Sequence, residues 1–209
     1  MKVGVLAVQG AFAEMETFWR AHGADVFEIR QLADLERGMD LLALPGGEST
    51  VQGKLLKDLG LFDPLKERID GGLPVFATCA GLILLAEKIE DDGGRAGVRP
   101  SRWFGSLPVT VRRNAYGRQL GSFTVVGTYD GKPDTKMTFI RAPAITAIRP
   151  GVEILSTFNG QPDFPMTFIR APAITEVAPQ VEVLSTFDGA PTAVRWRNVT
   201  AFTWHPELN

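Results

Sequence analysis

The chain has 209 residues, 44% of them hydrophobic and 22% charged, with a formal net charge of −2 at pH 7. That is enough apolar residue for a sizeable core and too little charge for disorder, and it offers no global attraction to nucleic acid or to an anionic membrane surface. Its one cysteine excludes an intrachain disulfide framework, and no stretch approaches the roughly 20 apolar residues of a membrane span, so a cytosolic protein is expected. One globular domain over residues 1–209 fits the length, with two small domains as the alternative.

Residues 3–8 read as a buried strand, and Gln9-Gly10 turns it into a helix with Phe12, Met15, Phe18 and Trp19 on one face and Gly23 at its end. Residues 25–30 and 40–44 read as two further short strands, the second running into Pro45-Gly46-Gly47-Glu48-Ser49-Thr50. A helical stretch from 51 to about 69 is expected to break near Pro64, before a fourth strand at 74–78 and a helix after Cys79. Strands alternating with helices predict an α/β fold with a mostly parallel sheet covered on both faces. In such sheets ligands bind beyond the carboxyl ends of the strands, where Gly46-Gly47 and Cys79 both fall. After Glu90 the pattern changes: 91–101 reads as a loop. The β-leaning segments 107–111, 122–128, 137–141, 152–158, 181–187 and 192–196 read as mixed or antiparallel additions to the same sheet.

Residues 137–160 recur as 166–189, with 18 of 24 positions identical. Two copies are too few for a solenoid, so this is a tandem duplicated β segment inside an α/β chain. Either one copy takes the native position while the other extends the sheet or loops out, or the chain is recombined or engineered.

Cys79 lies where an apolar run passes through the small residues Ala80-Gly81 into a helix, which is where a nucleophile is mounted. A lone cysteine is more often a small buried hydrophobe, but small residues on both sides leave room for a substrate. The thiolate is the reactive species, so a base must lie nearby in space. Of two histidines, His205 follows the apolar stretch 199–202, which could carry it to the same sheet edge, and Glu207 could orient its imidazole. Gly46-Gly47 beside such a nucleophile could present backbone N–H groups to developing negative charge. Together these groups spell amide hydrolysis.

With these residues the chain resembles the class I glutamine amidotransferases, and within them the glutaminase subunits of pyridoxal 5′-phosphate synthase. The matching segments are Gly4-Val5-Leu6-Ala7-Val8-Gln9-Gly10-Ala11, Leu44-Pro45-Gly46-Gly47-Glu48-Ser49-Thr50, Thr78-Cys79-Ala80-Gly81-Leu82, Arg113-Asn114-Ala115-Tyr116-Gly117-Arg118-Gln119, the Phe-Ile-Arg-Ala-Pro motif and His205-Pro206-Glu207-Leu208. The resemblance implies a flavodoxin-like single domain with flanking helices, in which Cys79 attacks the carboxamide of L-glutamine, His205 moves the protons and Glu207 supports His205. It further implies that Gly46, Gly47 and Glu48 line the glutamine site, that backbone N–H groups near Gly47 and Ala80 form an oxyanion hole, and that Arg113 lies beside the substrate. The substrate-contacting Ile-Arg pair exists twice, as Ile140-Arg141 and Ile169-Arg170; the choice between them is open, with the second preferred because its chain continues into the segment carrying His205. No cofactor or metal is implied. The implied partner is a (β/α)8-barrel synthase subunit that receives the ammonia, and the Gln9-Gly10 loop belongs to the region that responds to it. The runner-up readings are a glutaminase subunit of another biosynthetic pathway and an inactive or engineered scaffold.

Three departures from the resembled pattern carry expectations. Ala77 replaces a usual glycine before Thr78-Cys79 and is expected to crowd the turn. Met15 replaces a usual histidine, expected at the surface facing the partner. The pattern also continues past residue 209 into a terminal helix, without which the His205 loop is expected to fray.

Overall fold

A computed structural model of the chain describes residues 1–90, 102–113, 123–129, 132–139, 144–148, 152–154, 181–187 and 190–208. The first half is wound as its apolar runs require. β1 (Lys2–Leu6), β2 (Asp25–Ile29), β3 (Leu41–Leu44) and β4 (Val75–Thr78) lie parallel in the order β4-β3-β1-β2. The connections are α1 (Phe12–Ala21), a 3-10 turn at Leu32–Arg37, and the pair α2 (Ser49–Asp58) and α3 (Phe62–Asp70).

Alternation along the strands separates two apolar layers. Leu6, Leu42 and Leu44 pack with Leu56, Leu61 and Leu65, while Val3, Val5 and Ala43 pack with Met15. Met15 is 0% exposed, which corrects its expected surface position. It stands one helical turn from Phe12 and Trp19, which pack on the same layer, and burying it contributes on the order of 1.5–3 kcal/mol that a surface position would forfeit. The helix break also moves from the expected Pro64 to Gly60, whose φ of 69° ends α2, while Pro64 sits in the first turn of α3, where a missing N–H costs nothing. Ala77 lies in the middle of the sheet, paired with Leu44 and Ala201.

α4 (Ala80–Leu85) is a short, wholly buried helix, and the chain enters β5 (Ala86–Glu90) directly. Beyond it lie β6 (Leu107–Arg112), β7 (Phe123–Tyr129), β8 (Lys132–Phe139), β9 (Ala144–Ile148), β10 (Val152–Ile154), β11 (Val181–Phe187), β12 (Ala190–Trp196) and β13 (Val199–Phe202). Among the described residues the main sheet has eight strands in the order β10-β11-β12-β13-β4-β3-β1-β2, with β13 parallel to β4 and β12 antiparallel to both its neighbours. β5, β6 and β9 form a separate sheet, and β7 and β8 another, rather than the expected additions to the main one. The free edge of β4 is already taken by β13, so the strands between residues 86 and 148 must pair among themselves.

The repeat is divided between these sheets. The first copy supplies the end of β8, β9 and β10, and the second supplies β11. β10 lies parallel to β11 with Val152 opposite Val181, Glu153 opposite Glu182 and Ile154 opposite Val183, so each residue faces its own repeat equivalent. The first copy thus extends the sheet, one of the two arrangements the sequence left open. The expected loop at 91–101 lies outside the described residues.

Candidate active site

The parallel pairing of β4 with β13 sets Thr78 opposite Phe202, so the residues that follow both strands meet above one sheet edge. Cys79 N–H donates to the Phe202 carbonyl at 2.9 Å. The chain then turns sharply, with Cys79 at φ 47° and ψ −100°. A non-glycine residue in such a conformation costs of order 1–3 kcal/mol and persists only where its surroundings impose it. Here the next turn is held against β3: a Cβ on Gly81 would lie 2.3 Å from the Leu44 carbonyl oxygen, so only glycine allows that approach.

The second arm comes from β13. Thr203 N–H donates to the Thr192 carbonyl at 2.8 Å, Trp204 is buried, and a 3-10 turn at Pro206–Leu208 folds Glu207 back under His205. His205 Nδ1 lies 2.7 Å from Glu207 Oε1, which also accepts a hydrogen bond from Thr78 Oγ1 at 3.0 Å. His205 and Glu207 are 4% and 8% exposed, so this loop packs inward. Nδ1 is held by Glu207, and the Cys79 side chain interacts with the same imidazole. Burial works against a charge on His205. The Glu207 carboxylate and the hydrogen bonds to Cys79 and Glu207 outweigh it and hold the pKa well above the ordinary 6.5.

That shift has a sign for stability. The folded chain holds the His205 proton more tightly than the unfolded one, so this contribution is complete below about pH 6.5 and is lost as the pH rises through the folded value. Thermal melts between pH 6.5 and 10 should therefore show a decline that is shallower in His205→Gln. Parallel pH profiles in the two proteins would refute it.

Gly46 and Gly47 form the facing wall. A Cβ on Gly46 would lie 2.3 Å from His205 Cε1, so the imidazole rests directly on this backbone. Gly10, at φ 99°, approaches just as closely: a Cβ there would lie 2.0 Å from the Gly46 oxygen. The two loops are tied together by Ala11 N–H to Gly46 O at 2.9 Å, Glu48 N–H to Gln9 Oε1 at 2.9 Å, and the buried Gln52 amide, which donates to Gln9 O at 2.9 Å and Pro45 O at 3.2 Å. The exposed Glu48 carboxylate caps α2 by accepting from Thr50 N–H at 3.3 Å and Val51 N–H at 2.8 Å. Ala80 opens α4, where a helix N–H has no carbonyl four residues back to donate to. Arg113 is 5% exposed, and its Nη1 donates to Thr50 Oγ1 at 3.0 Å, which brings the guanidinium to the same end of α2.

Cys79, His205, Glu207, Gly46, Gly47, Glu48, Ala80 and Arg113 therefore gather around one sheet edge. Ile140, Arg141, Ile169 and Arg170 lie outside the described residues. Sequence pattern alone missed Thr78, which holds the carboxylate of Glu207, and Gln52 and Thr50, which hold the neighbouring loops; for Thr78 the signal was a hydroxyl directly before the nucleophile. Among the described residues, no group of His, Cys, Asp and Glu could hold a metal ion, and no helix is long and apolar enough to cross a membrane.

The doubly wound α/β sheet is the fold of the glutamine amidotransferases. A crystal structure described as a glutamine amidotransferase matches with a TM-score of 0.76 at 33% identity, over 99% of this chain and 91% of that one. The structure of PurLQS from Thermotoga maritima shares the fold alone, with a TM-score of 0.52 at 10% identity over 99% of this chain and 87% of that one. The chain belongs to the SNO glutamine amidotransferase family, whose model matches residues 5–162. Among curated relatives, a pyridoxal 5′-phosphate synthase subunit PdxT from Desulfitobacterium hafniense strain Y51 is 53% identical over 155 residues, 74% of each chain. One from Methanocorpusculum labreanum is 52% identical over 74% of this chain and 78% of its own. The family match takes in Cys79, both glycines and the first copy of the repeat; His205 and Glu207 lie beyond it and reach Cys79 through the pairing of β13 with β4.

Proposed function

We propose that this chain, as one domain over residues 1–209, hydrolyses L-glutamine to glutamate and ammonia in the cytosol and delivers the ammonia to a (β/α)8-barrel subunit of pyridoxal 5′-phosphate synthase. The observation that carries the reading is the buried Cys79–His205–Glu207 array with a histidine that favours its charged form. The names of the PdxT relatives support the pathway and the partner.

Cys79 Sγ attacks the side-chain carboxamide carbon, and the carbonyl electron pair moves onto oxygen, where the N–H groups of Gly47 and Ala80 receive it. Collapse of this oxyanion expels ammonia, protonated from His205 Nε2, and leaves a γ-glutamyl thioester on Cys79. Water then attacks the thioester, His205 takes its proton, and glutamate leaves as the sulfur is released. Glu207, held by Thr78, keeps the imidazole in the tautomer that both steps need. Arg113 supplies a cation for the substrate carboxylate, and the backbone beside Glu48 lines the same wall.

Of the two Ile-Arg pairs, Ile140-Arg141 is favoured over the initially preferred Ile169-Arg170. Ala144 pairs with Arg112 at the end of β6, directly before Arg113, and Arg141 stands three residues before Ala144. The test is glutamate release from glutamine by the purified chain, with and without the synthase barrel subunit. Release that rises on mixing is expected. Release indifferent to the synthase would remove the partner, and none in either condition, from folded protein, would remove the activity.

A further inference from the structure

We propose that the two copies of the repeat are alternative occupants of one position in the main sheet, the strand beside β12, so that the strand of either copy can fill that position.

Three observations meet here. First, the seven residues of β11, Val-Glu-Val-Leu-Ser-Thr-Phe at 181–187, recur at 152–158 with a single difference, Ile154 for Val183. Val183 and Leu184 are buried, so the side chains that β11 contributes to the core are available from the first copy almost unchanged, and a Val-to-Ile exchange adds one methylene. Second, the three residues of β10 lie parallel to β11 beside their own equivalents, with an irregularity at Ile154, which pairs with both Glu182 and Val183, so the strand excluded from the position lies next to it close to register. Third, β12 already sees both. Arg195 is paired with Glu182 of β11 and also with Glu153 of β10, which are the same residue of the repeat. Its Nη1 lies 3.6 Å from Glu182 Oε2.

What selects the second copy is connection length. β11 ends at Phe187 and β12 begins at Ala190, so two residues join them, whereas first-copy occupancy would leave residues 159–189 as the connection. Loop-closure entropy grows only logarithmically with length, so this preference is modest and the first copy remains a usable substitute. Meanwhile β9 of the first copy is paired with β6 and stays there in either arrangement.

The experiment uses prolines, which remove a ladder hydrogen bond from an interior strand. In the full chain, Val183→Pro alone and Ile154→Pro alone should each keep a cooperative melt within about 5 °C of the parent and keep glutamate release, while the double variant loses the transition. A Val183→Pro protein that fails to fold would assign the position to the second copy alone, and a folded double variant would show the position is not needed; either overturns the proposal. A second measurement reads the occupant directly. Ser185 is opposite Ala193 on β12, and its equivalent is Ser156. In Val183→Pro, oxidation should link Ser156→Cys to Ala193→Cys, and the absence of that link in a folded protein would also overturn exchange.

Discussion

Replacing Cys79 with alanine is expected to reduce glutamate release by at least about 10⁴-fold while leaving the melting temperature within a few degrees of the parent. The activity loss follows from chemistry: no other thiol exists in the chain, and removing the nucleophile of a coupled array costs about as much as removing the whole array. Stability follows from backbone geometry. Alanine keeps the Cβ at φ 47° and so keeps the strain, whereas Cys79→Gly removes it. The glycine variant should be equally inactive and more stable than the alanine variant by about 1 kcal/mol. Measured activity in either variant would discard Cys79 as nucleophile, and a glycine variant less stable than alanine would discard the strained turn.

The second large effect is expected at Gly46. A methyl group there would stand 2.3 Å from His205 Cε1 and 3.2 Å from Nδ1, well inside contact distance. The Gly46 backbone cannot retreat easily, since its carbonyl accepts Ala11 N–H at 2.9 Å and its other side faces Gly10. The imidazole must therefore shift by something near an ångström, and misplacement on that scale costs roughly 10²-fold in rate. Gly46→Ala should lower kcat/KM for glutamine by about that factor and leave the circular dichroism spectrum unchanged. Unaltered kinetics would mean that the ring does not rest on this backbone during turnover.

Much of the fold was readable because its first half obeys local rules. The strands at 3–8, 25–30, 40–44 and 74–78 are short apolar runs bounded by glycine, aspartate or proline, and each stands within a residue or two of its place in the sheet. Cys79 and Gly46-Gly47 were legible because strand-end position follows from that alternation. Tertiary competition was not legible. Ala86 begins a strand although it continues an apolar helical run, since β6 offers it a partner. Met15 had two readings, as a core position on the helix face and as a surface position by resemblance, and the period of the helix decided it. That the second copy, with two residues between Phe187 and Ala190, takes the place beside β12 while the first lies outside it is an arrangement of the whole chain that no window of residues reports. Thr78 was invisible as a partner of Glu207 because the two are 129 residues apart.

That separation also governs when the site comes into being. Pairing neighbouring parallel strands drawn from opposite ends of a sequence requires a large loop to close before the contact is rewarded, which makes such pairings slow to form. Cys79 turns out of β4, but its histidine and carboxylate arrive only when β13 docks alongside. Under the proposed mechanism, a chain in which residues 199–207 have not yet docked carries the thiol without its base, so completion of the sheet is what switches the amide-cleaving chemistry on.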